Sequence, residues 1–207
     1  MSGCSGLRAR LAARMHAGGW EPPHYERLKP KLLNPLEGQV IEIGPGSGVN
    51  LTYYRDSICW TGIQPNVFLH ERIRSRAAGI GFATRLSTAT AERLDLPDGS
   101  VDAVVGTLVL CSVDDPARAL AELLRVLKPG GRYVFIEHVA APLDTRTRRL
   151  QEAWTPILRR LPGGCSPNRE TGRMIKRTGF GAVAEESFEL PLSFGIALPH
   201  IAGTAIK

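Results

Sequence analysis

The sequence predicts an α/β protein with a doubly wound, mostly parallel, seven-stranded sheet, and three observations carry that expectation. Apolar β-branched runs alternate with segments of helical periodicity along the 207 residues, the pattern of strands whose crossovers are helices. One of those runs, QVIEI at 39–43, leads into glycines at 44, 46 and 48, which mark a tight turn where backbone without Cβ atoms can receive a ligand. Two adjacent strands with no helix between them close the chain, so one member of the sheet runs antiparallel to the rest.

Leu7, Leu11 and Met15 repeat at four-residue steps with Arg8, Arg10 and Arg14 between them. That spacing predicts a basic amphipathic helix of about ten residues, able to lie on a lipid surface or cover a pocket. Gly18 and Gly19 end it, and Pro22 and Pro23 start a second helix that turns Tyr25, Leu28, Leu32 and Leu33 to the core, with a kink at Pro30. Residues 1–35 are read as a helical cap on a single domain spanning 36–207. Strands follow at 40–43, 59–63 and 82–86. Between them a short helix starts at Leu51, and Asn66 caps a helix over 67–77. The run from Val101 through Val109 and Leu110 does not alternate, as expected of a strand buried on both faces. Asp115 and Pro116 supply an N-cap and a first-turn proline, after which Leu120, Leu123, Leu124 and Leu127 hold one helical face. Pro129, Gly130 and Gly131 stop that helix, and 133–136 is the fifth strand. A helical segment at 144–161 is interrupted at Pro156. A shorter helix is expected over 169–178, and two strands at 182–188 and 201–206 complete the sheet.

Composition narrows the function classes. The hydrophobic fraction is 43%, the charged fraction 22% and the net charge +6, ordinary for a soluble domain. The arginines lack an interleaved aromatic series, so nucleic acid is not an expected partner. No run approaches the roughly 18 apolar residues of a membrane span, and the first residues lack the apolar core of a secretory signal. A cytoplasmic protein is expected. Cys4, Cys59, Cys111 and Cys165 show neither Cys-x-x-Cys spacing nor a nearby histidine pair, and read as free thiols in a reducing compartment, neither a zinc site nor a disulfide frame, with no metal required. Val49 stands where a dinucleotide fingerprint would have its third glycine, and no Lys-Ser or Lys-Thr follows the turn, which counts against NAD, FAD and a P-loop. Glu42 sets a carboxylate where a pyrophosphate would be repelled and an ammonium welcome.

VIEIGPGSG, then a second strand, then LPDGSVDAVV, then ALAELLRVLKPGGRYVFIEH, in that order and spacing, resembles the class I S-adenosylmethionine-dependent methyltransferases over residues 36–190. TLVLCSV at 107–113, EHVAAP at 137–142, GGCSPNRET at 163–171 and the terminal PHIAGTAIK resemble more closely the animal methyltransferase-like proteins that methylate alkyl thiols, and their bacterial relatives. The resemblance implies S-adenosyl-L-methionine as cofactor and a small-molecule acceptor, a thiol first. A phenol, quinone precursor, natural product or phospholipid amine is the alternative, and a non-catalytic binding module the second alternative. The animal members begin with a membrane anchor that these residues do not show, so only peripheral lipid contact by the first helix is expected. Oligomeric state is left open.

The same resemblance implies roles. Gly44, Gly46, Gly48 and Asn50 would lie against the methionine part of the cofactor, with Glu42 facing its ammonium. Gln64 and Pro65 end the second strand at the ribose, where an amide replaces the usual acid. Thr90, Ala91 and Glu92 would border adenine, Glu92 replacing a carboxylate absent at Thr90. Thr107, Leu108 and Cys111 would border the transferred methyl. His138 is the candidate base or orienting group for the acceptor, against a structural hydrogen-bonded role, and Glu137 either holds His138 or faces the helix layer. Asn168 and Arg169 either attract an anionic acceptor or cap the helix that starts there. Tyr25, Trp20 and Trp154 are candidate substrate-pocket walls or core residues. Cys165 is read as pocket lining, and His200 as a structural hydrogen-bonding residue.

Overall fold

A computed structural model describes residues 3–15, 21–191 and 196–207. Trp20, a candidate pocket wall, lies outside the described residues. Seven strands form one sheet: β1 (Gly38–Ile43), β2 (Ile58–Ile63), β3 (Arg85–Ser87), β4 (Val101–Thr107), β5 (Leu127–His138), β6 (Ala182–Pro191) and β7 (Ala197–Ile206). Their order is β3-β2-β1-β4-β5-β7-β6. β7 pairs antiparallel with both β5 and β6, and the other pairings are parallel. Strand order reverses between β1 and β4, so the crevice for a ligand opens at their carboxyl ends.

The helices are α1 (Gly3–Met15), α2 (Pro23–Leu33), α3 (His70–Gly79), α4 (Pro116–Val126), α5 (Arg146–Leu158) and α6 (Thr171–Arg177). Period-two alternation divides the core into two layers. Ile41, Ile43, Val104, Tyr133 and Phe135 pack with Leu120, Leu123 and Ile175 on one face. Val40, Val105 and Val134 pack with Leu33, Leu51, Trp60 and Ile73 on the other. The Asp115 carboxylate accepts from Arg118 N at 3.0 Å and caps α4, and Asn66 caps a single 3-10 turn, Val67–Leu69, that leads into α3.

Several features differ from the sequence expectation, among them three element boundaries and the buried face of α1. β4 stops at Thr107 because Leu108 takes φ 56°, which ends the extended run three residues before Leu110. β3 begins at Arg85 rather than at Phe82, whose ring leaves the strand to pack near Tyr54 and Trp60. α6 begins at Thr171 after Glu170, so neither Asn168 nor Arg169 is its cap. On α1 the small Ala12 and Ala13 are buried while Leu7 and Leu11 are exposed, so the leucine stripe is not the core-facing side. Asn66 Nδ2 donates to Ala9 O at 2.8 Å, and the Arg10 guanidinium lies 5.0 Å from the Phe68 ring centroid.

β7 can lie between β5 and β6 only because Gly203 has no side chain. A Cβ there would stand 2.1 Å from the Ala184 carbonyl oxygen, and backbone cannot yield as a flexible side chain does. Gly203→Ala is expected to cost about 3 kcal/mol or more, read as a lowered urea midpoint with an unchanged m-value.

Candidate active site

The first wall of the site is the turn after β1. Gly44, Gly46 and Gly48 take φ of 57°, 58° and 77°, the left-handed region that residues with a Cβ disfavour. A Cβ on Gly44 would strike Val109 at 2.8 Å, whereas one on Gly46 would meet nothing within 4 Å. The turn is therefore packed on one side and open on the other. Parity along β1 explains what lies beneath it. Glu42 shares a face with Val40, the face packed against Trp60 and Tyr54, and it is buried. Its Oε2 accepts from Tyr54 OH at 2.8 Å and Trp60 Nε1 at 3.1 Å, and its Oε1 accepts from Asn50 Nδ2 at 2.8 Å. Burial pushes the carboxyl upward, and the Tyr54, Asn50 and Trp60 hydrogen bonds with the Lys29 charge pull against it.

Three side-chain donors inside the fold thus hold the Glu42 oxygens, so the carboxylate supports the turn from beneath. The acceptor left over is on Asn50, whose Nδ2 also reaches Thr107 Oγ1 at 3.1 Å while its Oδ1 is buried without a partner among the described residues. Lys29 also carries weight that periodicity did not signal. It is fully buried on α2, pairs with Glu21, and lies near the Tyr25 and Tyr53 rings.

The second wall forms at the ends of β2 and β3. Gln64 Oε1 accepts from Asn66 N at 3.1 Å, and Gln64 N donates to Ser87 O at 2.8 Å. A cleft of about 230 Å³ lies beyond, lined by Gly44, Pro65, Thr90, Ala91, Glu92 and Val113 among others. Glu92 borders it, but its Oε1 accepts from Asp114 N at 2.9 Å and Asp115 N at 3.4 Å. One oxygen of its carboxylate is thus committed to the entry of α4. A larger cleft, about 450 Å³, opens at the opposite edge around Gly38, Asp102, Lys128 and Gly130. It lies at the strands' amino ends, remote from the switch point, and carries the Lys128–Asp102 ion pair together with Glu37 and Arg132.

The third wall is the end of β4 and β5. Leu108 is strained at φ 56°, and the segment after it is held from both sides. Glu137 Oε1 accepts from Val109 N and Leu110 N, each at 2.9 Å. The Arg169 guanidinium donates to Leu110 O and, at 2.7 Å, to Val113 O. These contacts reassign two residues. Glu137 shares a face with Tyr133 and Phe135, His138 the opposite one with Ile136, so Glu137 supports the β4 loop and does not hold His138. Arg169 is a loop clamp rather than a helix cap.

His138 points to sulfur. Its Nε2 is 3.2 Å from Cys165 Sγ, and Cys111 Sγ, His138 and Cys165 Sγ lie with their ligating atoms within 4.8 Å of one another. Cys111 and His138 are buried and Cys165 half-buried. Hydrogen bonding from Cys165 and burial push the Cys111 thiol up to about 12, whereas the Cys111 hydrogen bond and the Arg169 charge hold Cys165 below the usual thiol range. Burial works against a charged His138, but its contact with Cys111 and the charges of Cys111 and Glu137 leave it above the ordinary imidazole range. No spacing rule finds this trio, because its members come from three separate elements. The fold also puts rings behind it. Tyr25 is buried 5.9 Å from the His200 centroid, and His200 is 6.1 Å from His138. His200 Nδ1 lies 2.8 Å from Leu198 O, the structural hydrogen bond expected of it. Trp154, by contrast, is 54% exposed on α5, so it does not fill the core. Asn168 lies in the turn just before Arg169.

Residues 41–135 match the family described as "Methyltransferase domain". The human thiol S-methyltransferase TMT1A is 37% identical over 171 residues, which cover 81% of this chain and 70% of that protein. The chain belongs to the class I S-adenosylmethionine-dependent methyltransferases. Among solved structures, the YcgJ protein of Bacillus subtilis superposes on this methyltransferase with a TM-score of 0.73 at 20% identity, covering 88% of this chain and 97% of the other. The [4+2]-cyclase SpnF reaches 0.70 at 19% identity over 89% and 80%. That second likeness shows how one fold carries unlike chemistries, so the site has to define the acceptor.

The methyltransferase's own residues fit the cofactor. The open side of the turn at Gly46 leaves bare backbone against which a ligand can lie, and Asn50 Oδ1, buried without a partner among the described residues, is an acceptor of the kind an ammonium requires. Glu42→Gln replaces an acceptor with a donor that faces Tyr54, Trp60 or Asn50. It is expected to cost about 1–3 kcal/mol of stability and to weaken S-adenosylhomocysteine binding, checked by thermal melts and calorimetric titration of the same preparation.

Proposed function

We propose that this methyltransferase methylates the sulfur of a small, rather apolar thiol. The observation that carries the reading is the pairing of His138 with Cys165 at the carboxyl end of β5, beside the strained Leu108 and near the glycine turn. The similarity to TMT1A, named a thiol S-methyltransferase, supports the acceptor class. When bound, S-adenosylmethionine supplies an activated methyl group on a sulfonium. Gly44, Gly46 and Gly48 offer backbone to its amino-acid part, and Asn50 Oδ1 accepts from its ammonium. Gln64 and Pro65 meet the ribose. Thr90 and Ala91 border the adenine, with Ala91 offering its main-chain N–H, while Thr107, Leu108 and Cys111 border the reacting edge.

The work left to the protein is alignment and proton removal. Fixing two reacting groups collinearly can supply several kcal/mol, up to roughly 7–11 in the best intramolecular cases. A thiol of ordinary acidity is only a few per cent thiolate at neutral pH. The Cys111, His138 and Cys165 group, with the Arg169 cation behind it, favours the anionic form of an acceptor sulfur. Tyr25 forms the apolar side of the acceptor pocket, and α1 with α2 forms the cap over it. The free thiols suit a reducing, cytoplasmic compartment.

A surface feature bears on how an apolar acceptor arrives. No described helix is long and apolar enough to cross a membrane. Yet Leu7 and Leu11 of α1 and Trp154, Ile157 and Leu161 in and after α5 are exposed apolar residues. Arg8 links α1 to the turn after α5 by donating to Arg160 O at 3.0 Å. Apolar side chains among arginines suit the surface of an anionic bilayer, and we read this side as a peripheral lipid contact.

Incubation with labelled cofactor and a panel of alkyl thiols, phenols, quinone precursors and phospholipid amines is expected to label thiols, and label confined to another acceptor overturns the reading. His138→Ala is expected to lower kcat/KM for the thiol by about 100-fold or more while S-adenosylhomocysteine affinity changes less than about threefold, measured by calorimetry. Leu7→Asp with Leu11→Asp is expected to reduce sedimentation with phosphatidylglycerol vesicles and to leave S-adenosylhomocysteine binding intact.

A further inference from the structure

We propose that Cys111, His138 and Cys165 form a three-ligand site for zinc, or a similarly soft divalent cation, whose fourth position takes the acceptor thiol. This rests on the thiol reading and names how the acceptor sulfur is held. Two thiolates and an imidazole are a soft donor set that favours zinc over calcium or magnesium, and three protein ligands with one open position are the arrangement of catalytic rather than structural zinc.

The geometry is close to what the ion requires. Tetrahedral zinc, with bonds of about 2.3 Å to sulfur and 2.0–2.1 Å to nitrogen, sets ligand atoms roughly 3.4–3.8 Å apart. Here the three ligating atoms lie within 4.8 Å of one another, and Cys165 Sγ is 3.2 Å from His138 Nε2. Local adjustment of side chains closes the difference. The backbone already holds the two cysteine segments together, since Ser166 N donates to Cys111 O at 2.9 Å. His138 Nε2, the ring nitrogen beside Cys165 Sγ, is the atom that would ligate, leaving Nδ1 to carry the ring proton. Glu137, on the other face of β5, is outside the set.

Charge and position agree with an acceptor at the fourth place. Two thiolates neutralise the dication, and a bound substrate thiolate leaves one negative charge. Arg169, anchored on the carbonyls of Leu110 and Val113 on either side of Cys111, supplies the compensating positive one. Cys165 is only half-buried, which leaves the cluster approachable from its side. Cys111 follows Leu108 and Val109, and Val109 packs against Gly44, so the site stands beside the turn that holds the cofactor.

The step balances without an oxidant or reductant. The acceptor thiol displaces water from the metal, its S–H bond breaks, the proton leaves with solvent, and a metal–sulfur bond forms. A sulfur lone pair then makes the bond to the methyl carbon as the methyl–sulfonium bond breaks, its electron pair remaining on the sulfur of S-adenosylhomocysteine. The neutral thioether product is a poor ligand and gives way to water.

Cobalt(II) tests the site apart from turnover. Reduced, metal-free protein is expected to bind one equivalent, with thiolate-to-cobalt absorption in the near ultraviolet and tetrahedral bands in the visible. 2-Mercaptoethanol should shift those bands. Cys165→Ser and His138→Ala should each weaken zinc binding about tenfold or more, measured by competition with a chromogenic chelator, and Cys111→Ser with Cys165→Ser should abolish the near-ultraviolet band. Cys59→Ser, on the exposed surface, should change nothing. A thermal shift with S-adenosylhomocysteine verifies that each variant is folded. Absence of the thiolate bands, bands unmoved by the thiol, or full thiol methylation by chelator-stripped protein overturns the proposal. Thiol methylation without metal leaves the acceptor assignment standing while the metal site falls. A cobalt spectrum that responds to thiol in a protein that methylates only phenols or amines overturns the acceptor assignment and its catalytic use of the site.

Discussion

The carboxylate of Glu42 is buried near the end of β1, out of reach of bulk solvent, and the architecture around the glycine turn follows from how it is paired. Tyr54 comes from the segment after the turn, Trp60 from β2 and Asn50 from the turn's own exit, and each brings a donor to the same two oxygens. A buried carboxylate left short of partners costs far more than an ordinary lost hydrogen bond. The pairing therefore ties β1, β2 and the glycine turn into one unit. It also commits Asn50 Nδ2 inward and leaves its Oδ1 as the buried acceptor beside the open face of the turn.

The same device recurs across the switch point. Glu137, buried at the end of β5, takes two main-chain N–H groups of the β4 loop, and Arg169 takes two of its carbonyls. A loop held by both its donors and its acceptors can sustain the left-handed Leu108, a conformation that costs energy for a side chain of that size. Such strain persists only where the surroundings over-determine it, and here it borders the sulfur and imidazole groups. Glu42 and Glu137 thus brace the glycine turn and the β4 loop from within. The groups left free to touch ligands are the ones that these supports position.

Much of the fold was legible because it depends on local order. Alternation of β-branched runs with the Leu120, Leu123 and Leu127 face, the Asp115–Pro116 helix start and the final pair of strands led to seven strands with one antiparallel member. The boundaries that moved were those decided by distant partners. β4 ended early because Glu137, nearly thirty residues on, captured the loop's amides. α6 began late because Arg169 turned to the carbonyls of Leu110 and Val113. The leucines of α1 kept the expected spacing, but the alanines beside them allowed the closer approach to the domain.

What the sequence by itself determined is the glycine turn and the strand and helix order, and through them the crevice at the carboxyl ends of β1 and β4. Those features rest on backbone freedom and on periodicity, which neighbouring residues set. Only the tertiary structure decided which polar side chains face a ligand and which support the walls. A strand sends successive side chains to opposite faces, and in which layer each is buried depends on what packs there. That is why Glu137 and His138, adjacent in the chain, part company, and why Cys111, His138 and Cys165, dozens of residues apart, meet.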